Sequence, residues 1–247
     1  MEPTLFMARV AEQGERFDDM FDFLKQFLQT KNHFTPDERN LLSVAFKNLV
    51  TPKRTTWRTI MAVEQSQKAS QSTQNAIDGY KAVIEERLHN NCQSIVDVLR
   101  NSVISRVEKQ LEKEKTHAAF EERAFFHKMV GDYFRYASEA ISSQASKERL
   151  PKFKKGALES YKKAMEICKK GLKPYNSVVL GLALNFSVFY YEVMGDPAKA
   201  CEIAKNQLEE ALEQIDECSE ENFQEAQSII ELLKENLNIW AEEVEFE

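Results

Sequence analysis

The sequence is poor in the residues that break helices: of 247 positions, 7 are glycine and 6 are proline. They are scattered among long segments rich in Ala, Leu, Glu, Lys and Gln. That composition excludes a turn-rich β architecture and points to an all-α chain. Cysteine is equally scarce. Cys92, Cys168, Cys201 and Cys218 stand far apart with no C-x-x-C pair, which argues against a metal or disulfide framework and for free thiols buried in helices. No uninterrupted apolar run reaches the roughly 20 residues that cross a bilayer. Glu12, Glu15 and Arg16 come too early for a secretory leader. The expectation is a cytoplasmic protein, with the nucleus as a second location, and no membrane partner. A net charge of -7 leaves too little basic surface for a nucleic-acid backbone.

One absence is local. From Asn40 to Val63 there is no aspartate or glutamate, yet Lys47, Lys53, Arg54 and Arg58 all fall there. On a solvated helix a cation usually has a carboxylate three or four positions away. Arg54 has Val50, Thr51, Trp57 and Arg58 instead, and Lys47 has Ser43, Val44, Val50 and Thr51. These cations are expected to await an anion from outside their own helix. Spacings of seven and four place Lys47, Arg54 and Arg58 within about 40° of one another on a helix. Lys128 and Arg135 repeat the spacing of seven. Asp132, four residues from one and three from the other, is placed to hold both.

Helical periodicity predicts segments at 5–15, 17–30, 36–67, 72–103, 107–141, 152–171, 177–194, 197–218 and 220–243, about nine in all, and none alternates with strand period. Thr35-Pro36-Asp37-Glu38 is a start signal, with Thr35 as N-cap and Glu38 at the third helical position. Gly171 and Pro174 form a stop. Pro52 predicts a kink within the third helix. Residues 105–122, with Glu112-Lys113-Glu114-Lys115, read as a charged insert, an exposed extension or mobile loop rather than core.

Several of these runs carry a family resemblance. Arg39-Asn40-Leu41-Leu42-Ser43-Val44-Ala45-Phe46-Lys47-Asn48, Lys53-Arg54-Thr55-Thr56-Trp57-Arg58 and Lys128-Met129-Val130-Gly131-Asp132-Tyr133-Phe134-Arg135-Tyr136 are three of them. Glu12 to Met20 and the run Leu180-Gly181-Leu182-Ala183-Leu184-Asn185-Phe186-Ser187-Val188-Phe189-Tyr190-Tyr191-Glu192 are two more. Together they resemble the 14-3-3 family, all-helical dimeric adaptors that bind phosphoserine or phosphothreonine peptides. The resemblance covers nearly the whole chain. It implies one domain over 1–247, built of antiparallel helices around an amphipathic groove in a cup-shaped protomer, with helices at about 3–30 serving dimerisation.

It also implies roles. Arg54, Arg135 and the Tyr136 hydroxyl would contact phosphate with Lys47 close by, Arg58 and Lys128 would add field, and Asp132 would steady the cations. Asn185 and Asn236 would bond the peptide main chain. Leu184, Val188, Ile229 and Leu232 would form an apolar wall that Trp240 closes. Val10, Gly14, Arg16, Asp19, Thr56, Tyr80, Val83 and Arg87 would lie at or near the dimer interface. No enzymatic activity, cofactor or metal is expected. The partners are phosphorylated clients and a second copy or a paralogue.

The chain departs from the family pattern there. Arg16 would face Arg87, and Asp19 would face Val83, in place of ion pairs, which weakens the dimer unless Asp19 turns to Arg87. Thr56 matches a position phosphorylated in some members. Ser228 replaces an apolar wall residue, and 241–247 is a short acidic tail.

Two other readings compete. Ala157-Leu158-Glu159-Ser160-Tyr161 and Gly195-Asp196-Pro197-Ala198-Lys199-Ala200 resemble tetratricopeptide scaffolds that bind unphosphorylated peptides, although no 34-residue period runs through the chain. Glu86-x-x-His89 and Glu114-x-x-His117 have the spacing of di-iron helical bundles, but they stand among charged neighbours such as Arg87, Asn90, Lys113 and Lys115.

Overall fold

The computed structural model describes residues 2–66, 70–111 and 114–245, less the side chains of 30, 110, 111 and 243–245. Among them there are helices and no strands. In chain order they are α1 (Pro3–Gln13), α2 (Phe17–Thr30), α3 (Pro36–Ser66) and α4 (Gln71–Val98). Next come α5 (His117–Glu139), α6 (Gln144–Gly171), α7 (Ser177–Val188), α8 (Pro197–Gln214) and α9 (Glu220–Glu245). Three of them continue in altered form. A π-helical stretch Leu99–Ile104 and an α-helical Ser105–Leu111 extend α4. A second π-helical stretch, Phe189–Met194, extends α7, and the 3-10 turn Ile215–Glu217 follows α8.

The chain forms two compact units, Met1–Gln110 with Tyr136–Phe153, and Leu111–Arg135 with Lys154–Glu247. In the first, α1 packs on α2, α2 on α3, and α3 on α4. Its core holds Leu24, Phe27, Leu28, Leu42, Phe46, Leu88, Ile95 and Leu99, with Phe21 and Phe46 edge to face at 5.5 Å. The start of α3 is the expected capping box. Thr35 N–H donates to Glu38 Oε2 at 2.9 Å, and Glu38 N–H donates to Thr35 Oγ1 at 3.3 Å. Pro52 lies inside α3, and the helix continues on both sides of it. Near the proline, the Leu49 carbonyl accepts from Lys53 Nζ at 2.9 Å and Asn91 Nδ2 at 3.4 Å.

Two residues of α4, one turn apart, clamp the junction between α5 and α6. The Glu85 carboxylate accepts from Ser142 N–H at 2.7 Å and from the Ser143 hydroxyl at 2.7 Å. His89 Nε2 lies 3.0 Å from the Ala137 carbonyl and 2.8 Å from that of Ala140, at the end of α5. Those carbonyls need a donor once the helix stops, so the ring carries its proton on Nε2. Burial would raise the Glu85 carboxyl, but the hydrogen bonds from Ser142, Ser143 and Ser146 draw it below its ordinary value.

This clamp corrects the expected start of α6. Glu85 occupies the serine donors and Ser143 Oγ accepts from Ser146 N–H at 3.1 Å, so the helix begins at Gln144 and absorbs Pro151. The insert also needs correction. Helix α4 runs on to Leu111 rather than breaking at 103, and Val107, Ala119 and Glu122 are buried rather than exposed. Arg106 explains the first half, since its guanidinium donates to the Leu28 and Gln29 carbonyls at the end of α2. Glu112 and Lys113 of the charged run, Gln67 at the predicted end of α3, and Phe246 and Glu247 of the tail lie outside the described residues.

In the second unit α7 packs on α8 and α9, over a core that includes Leu180, Ala200, Ala204, Ala211, Ala226, Ile230, Leu233 and Trp240. Ser177–Met194 is apolar and long enough to cross a membrane by length and composition. It carries Asn185 and Glu192, however, and packs into this core. Helix α8 begins where predicted, with Asp196 as cap (Lys199 N–H to Oδ1, 2.9 Å). Gly195 supplies the left-handed φ of 66° that ends the preceding stretch. Helices α5 and α6 approach through reciprocal glycines. A Cβ on Gly131 would stand 2.7 Å from the Tyr161 ring, and one on Gly156 would stand 2.7 Å from the Phe134 ring.

Candidate functional site

Arg54 and Arg58 of α3 converge on one acid, and that anion is in the chain itself. Arg54 Nε donates to Glu139 Oε2 at 2.9 Å and Nη2 to Oε1 at 2.7 Å. Arg58 Nη2 adds a third bond to Oε2 at 3.3 Å. Their own helix offers these arginines no acid, and the last turn of α5 supplies one. The Arg54 Cζ also lies over the Tyr136 ring, 3.8 Å from its centroid. The Arg54 and Glu139 side chains are 17% and 13% exposed, whereas Arg58 is 61% exposed. Lys47 is exposed and has no ion-pair partner among the described residues. Cys92 lies buried near this pair, and burial pushes its thiol far above the ordinary range.

In the other unit, Asp132 gathers its neighbours as the spacing predicts. Lys128 Nζ donates to Oδ2 at 3.0 Å and Arg135 Nη2 lies 3.8 Å from Oδ1. Two contacts were not visible in the spacing. The Tyr161 hydroxyl donates to Asp132 Oδ1 at 2.6 Å, and Asn185 Nδ2 donates to the same oxygen at 2.8 Å. Arg135 Nε in turn donates to the Tyr161 oxygen at 3.2 Å, and Glu192 stands 3.8 Å from Arg135 Nη1. Burial, and then the charge of Asp132, raise the Tyr161 hydroxyl well above its ordinary value, so it remains a donor. Asn185 thus has one amide N–H held by Asp132, with its second N–H and its oxygen not taken up by that contact.

The apolar candidates differ in depth. Leu184, Val188 and Ile229 are half-buried against the core of their unit, and Leu232 is exposed. Asn236 is half-buried on α9. Trp240, expected to close an open wall, is only 3% exposed and stacks on Tyr191 at 5.0 Å. It supports the surface from beneath.

Among the dimer candidates, Val10, Tyr80 and Val83 are exposed, as are Phe6 and Met7. Gly14 ends α1, its N–H donating to the Val10 carbonyl at 3.1 Å. Within the chain, Asp19 pairs with Arg16 three residues earlier, Nη2 to Oδ2 at 2.9 Å, and Arg87 is exposed. Thr56 donates its hydroxyl to the Pro52 carbonyl at 2.8 Å.

The di-iron spacing leads nowhere. Glu86 pairs with Arg149 at 3.1 Å, His89 is engaged with carbonyls, and no group of three or more His, Cys, Asp or Glu side chains among the described residues could hold a metal. Of the four thiols, Cys92 and Cys168 are buried as expected, while Cys201 and Cys218 are half-buried.

A 14-3-3 protein family model matches residues 7–241. The checkpoint signal transducer rad24 of Schizosaccharomyces pombe is 37% identical, over 99% of this chain and 86% of its own length. The 14-3-3 protein beta/alpha of Rattus norvegicus is 38% identical, over 96% and 90%. The 14-3-3 protein 2 of Entamoeba histolytica is 36% identical, over 98% and 97%. With its all-helical fold and the extent of these matches, the chain belongs to the 14-3-3 family of non-enzymatic adaptors that bind phosphoserine and phosphothreonine motifs.

Proposed function

We propose that in this chain Arg54, Arg135 and the Tyr136 hydroxyl bind the phosphate of a client protein, with Lys47 adding charge and Arg58 and Lys128 shaping the field. Asp132 steadies Lys128 and Arg135. Asn185 and Asn236 bond the peptide main chain, and Leu184, Val188, Ile229 and Leu232 take its apolar side chains, buttressed by Trp240. The protein works in the cytoplasm and nucleus as a homodimer, or a heterodimer with a paralogue, joined through Val10, Gly14, Tyr80 and Val83.

The observation that carries the phosphate reading is the paired grip of Arg54 on a carboxylate, at 2.9 and 2.7 Å, over the Tyr136 ring. A planar fork held over an aromatic ring and already paired with two carboxylate oxygens is set to grip a pair of anionic oxygens, and a phosphate offers three. Fluorescence anisotropy with a phosphoserine peptide and its serine twin tests this. The phosphorylated form should bind far more tightly, and equal affinity would defeat the reading. Arg54→Ala should cost about 1.5–3 kcal/mol for each charge-assisted bond removed.

A further inference from the structure

The Arg54 fork is filled by Glu139, a residue 85 positions away in the chain. We propose that Glu139 is a built-in competitor that sets which anions the arginine pair accepts. Dianionic phosphate monoesters displace it, and the single carboxylates of aspartate and glutamate do not. This rests on the phosphate reading given above and assigns a specificity role to a residue outside the phosphate-binding set.

Glu139 is tethered on α5 beside its target, so it competes at a high effective concentration that a free side chain cannot match. An incoming carboxylate could at best reproduce the same paired bonds to Arg54 and would gain nothing for the exchange. A phosphate monoester differs in charge and in oxygens. It carries about -1.5 to -2 charges and three acceptors, so it can take the fork and still reach donors that Glu139 leaves underused. Arg58 is mostly exposed and makes a single 3.3 Å bond to Glu139, and Lys47 has no ion-pair partner among the described residues. The Tyr136 ring meanwhile contacts the guanidinium independently of Glu139, 3.8 Å from ring centroid to Cζ. Arg54 therefore keeps its orientation when Glu139 leaves, which separates competition from support.

The test uses three peptides of one sequence with phosphoserine, glutamate or serine at the central position, titrated against wild type, Glu139→Gln and Glu139→Ala. Wild type should bind only the phosphoserine form well. Both variants should bind that form about tenfold more tightly, since a charge-assisted bond no longer has to be surrendered, and should gain measurable affinity for the glutamate form. Glutamine retains an acceptor for Arg54, and alanine decides the matter if the glutamine variant melts early. If both variants bind phosphoserine no better than wild type, Glu139 positions Arg54 and the proposal is overturned. A gain confined to phosphoserine overturns it as well, because selection against carboxylates would then have another source. If wild type fails to separate phosphoserine from serine, the phosphate reading itself fails, a result distinct from either of these.

Discussion

Arg54 engages one acid through two nitrogens and lies over one aromatic ring, and both contacts depend on the shape of guanidinium as well as on its charge. Lysine at this position would keep the charge and lose the fork and the stacking. Arg54→Lys should therefore weaken phosphopeptide binding by about tenfold or more and also lower the melting temperature, since the charge-assisted pairing it removes, which in the free chain holds Glu139, runs about 1.5–3 kcal/mol per bond. Anisotropy beside a thermal melt checks both halves, and undiminished affinity would reduce Arg54 to a point charge. At this scale the sequence was half legible. Lys128 and Asp132 lie four apart on one helix, and their 3.0 Å bond follows from that spacing. Glu139, Tyr161 and Glu192 meet their arginines across different elements, and helical periodicity carries no information about such meetings. The one available hint was Glu139 standing three residues after Tyr136, an acid on the face that carries the basic motif.

Helix signals governed by local chemistry appear where the sequence places them, at the Thr35 box, the start at Pro197 and the Gly171 stop. Boundaries set by tertiary partners do not, and the serine donors taken up by Glu85 moved the start of α6 back past a proline. The glycines of α5 and α6 belong to the same class. Glycine inside a helix is destabilising by roughly 0.5–1 kcal/mol relative to alanine, yet here Gly131 and Gly156 are where aromatic rings of the facing helix come within 2.7 Å of a would-be Cβ. Gly131→Ala should accordingly destabilise by about 1–3 kcal/mol, as overpacking does. The loss should show as a lower melting temperature, and a stabilised variant would refute the close approach. His89 adds a pH dependence. Burial holds its imidazole below the ordinary histidine value, opposed by the charge of Glu85 on the same helix and reinforced by Arg149 on α6. The unfolded chain then takes up the proton first, so stability falls as pH drops below about 6.5. Glu85, itself depressed, adds a second loss below about 4.5. Between pH 7.5 and 5.5, His89→Gln should lose less melting temperature than wild type, and parallel losses would assign the slope elsewhere.

For the molecule as a whole, association should rest on apolar surface rather than on ion pairs. Arg16 and Asp19 satisfy each other within one chain, and exposed pairs contribute about 0–1 kcal/mol. Sedimentation over a dilution series should show Arg16→Ala close to wild type and Tyr80→Glu strongly shifted toward monomer. The reverse order would return the interface to its charges. Arg87→Glu, which would offer a carboxylate to a facing Arg16, should strengthen association only where it outbids Asp19. The division of the chain into two compact units was not legible at all, because the helical pattern is continuous through α5 and α6 where the units divide. The thiols described earlier turn that division into something a clock can read. Cys92 is sealed in one unit and Cys168 in the other, with burial holding the latter thiol up to about 12, while Cys201 and Cys218 sit nearer the surface. Timed alkylation of the unmodified protein would label the shallow pair first and the deep pair only as fast as each unit breathes open, giving two independent opening rates from one sample. A phosphopeptide seated on Arg54 should then slow the labelling of Cys92, so the protein carries its own occupancy gauge beneath the site.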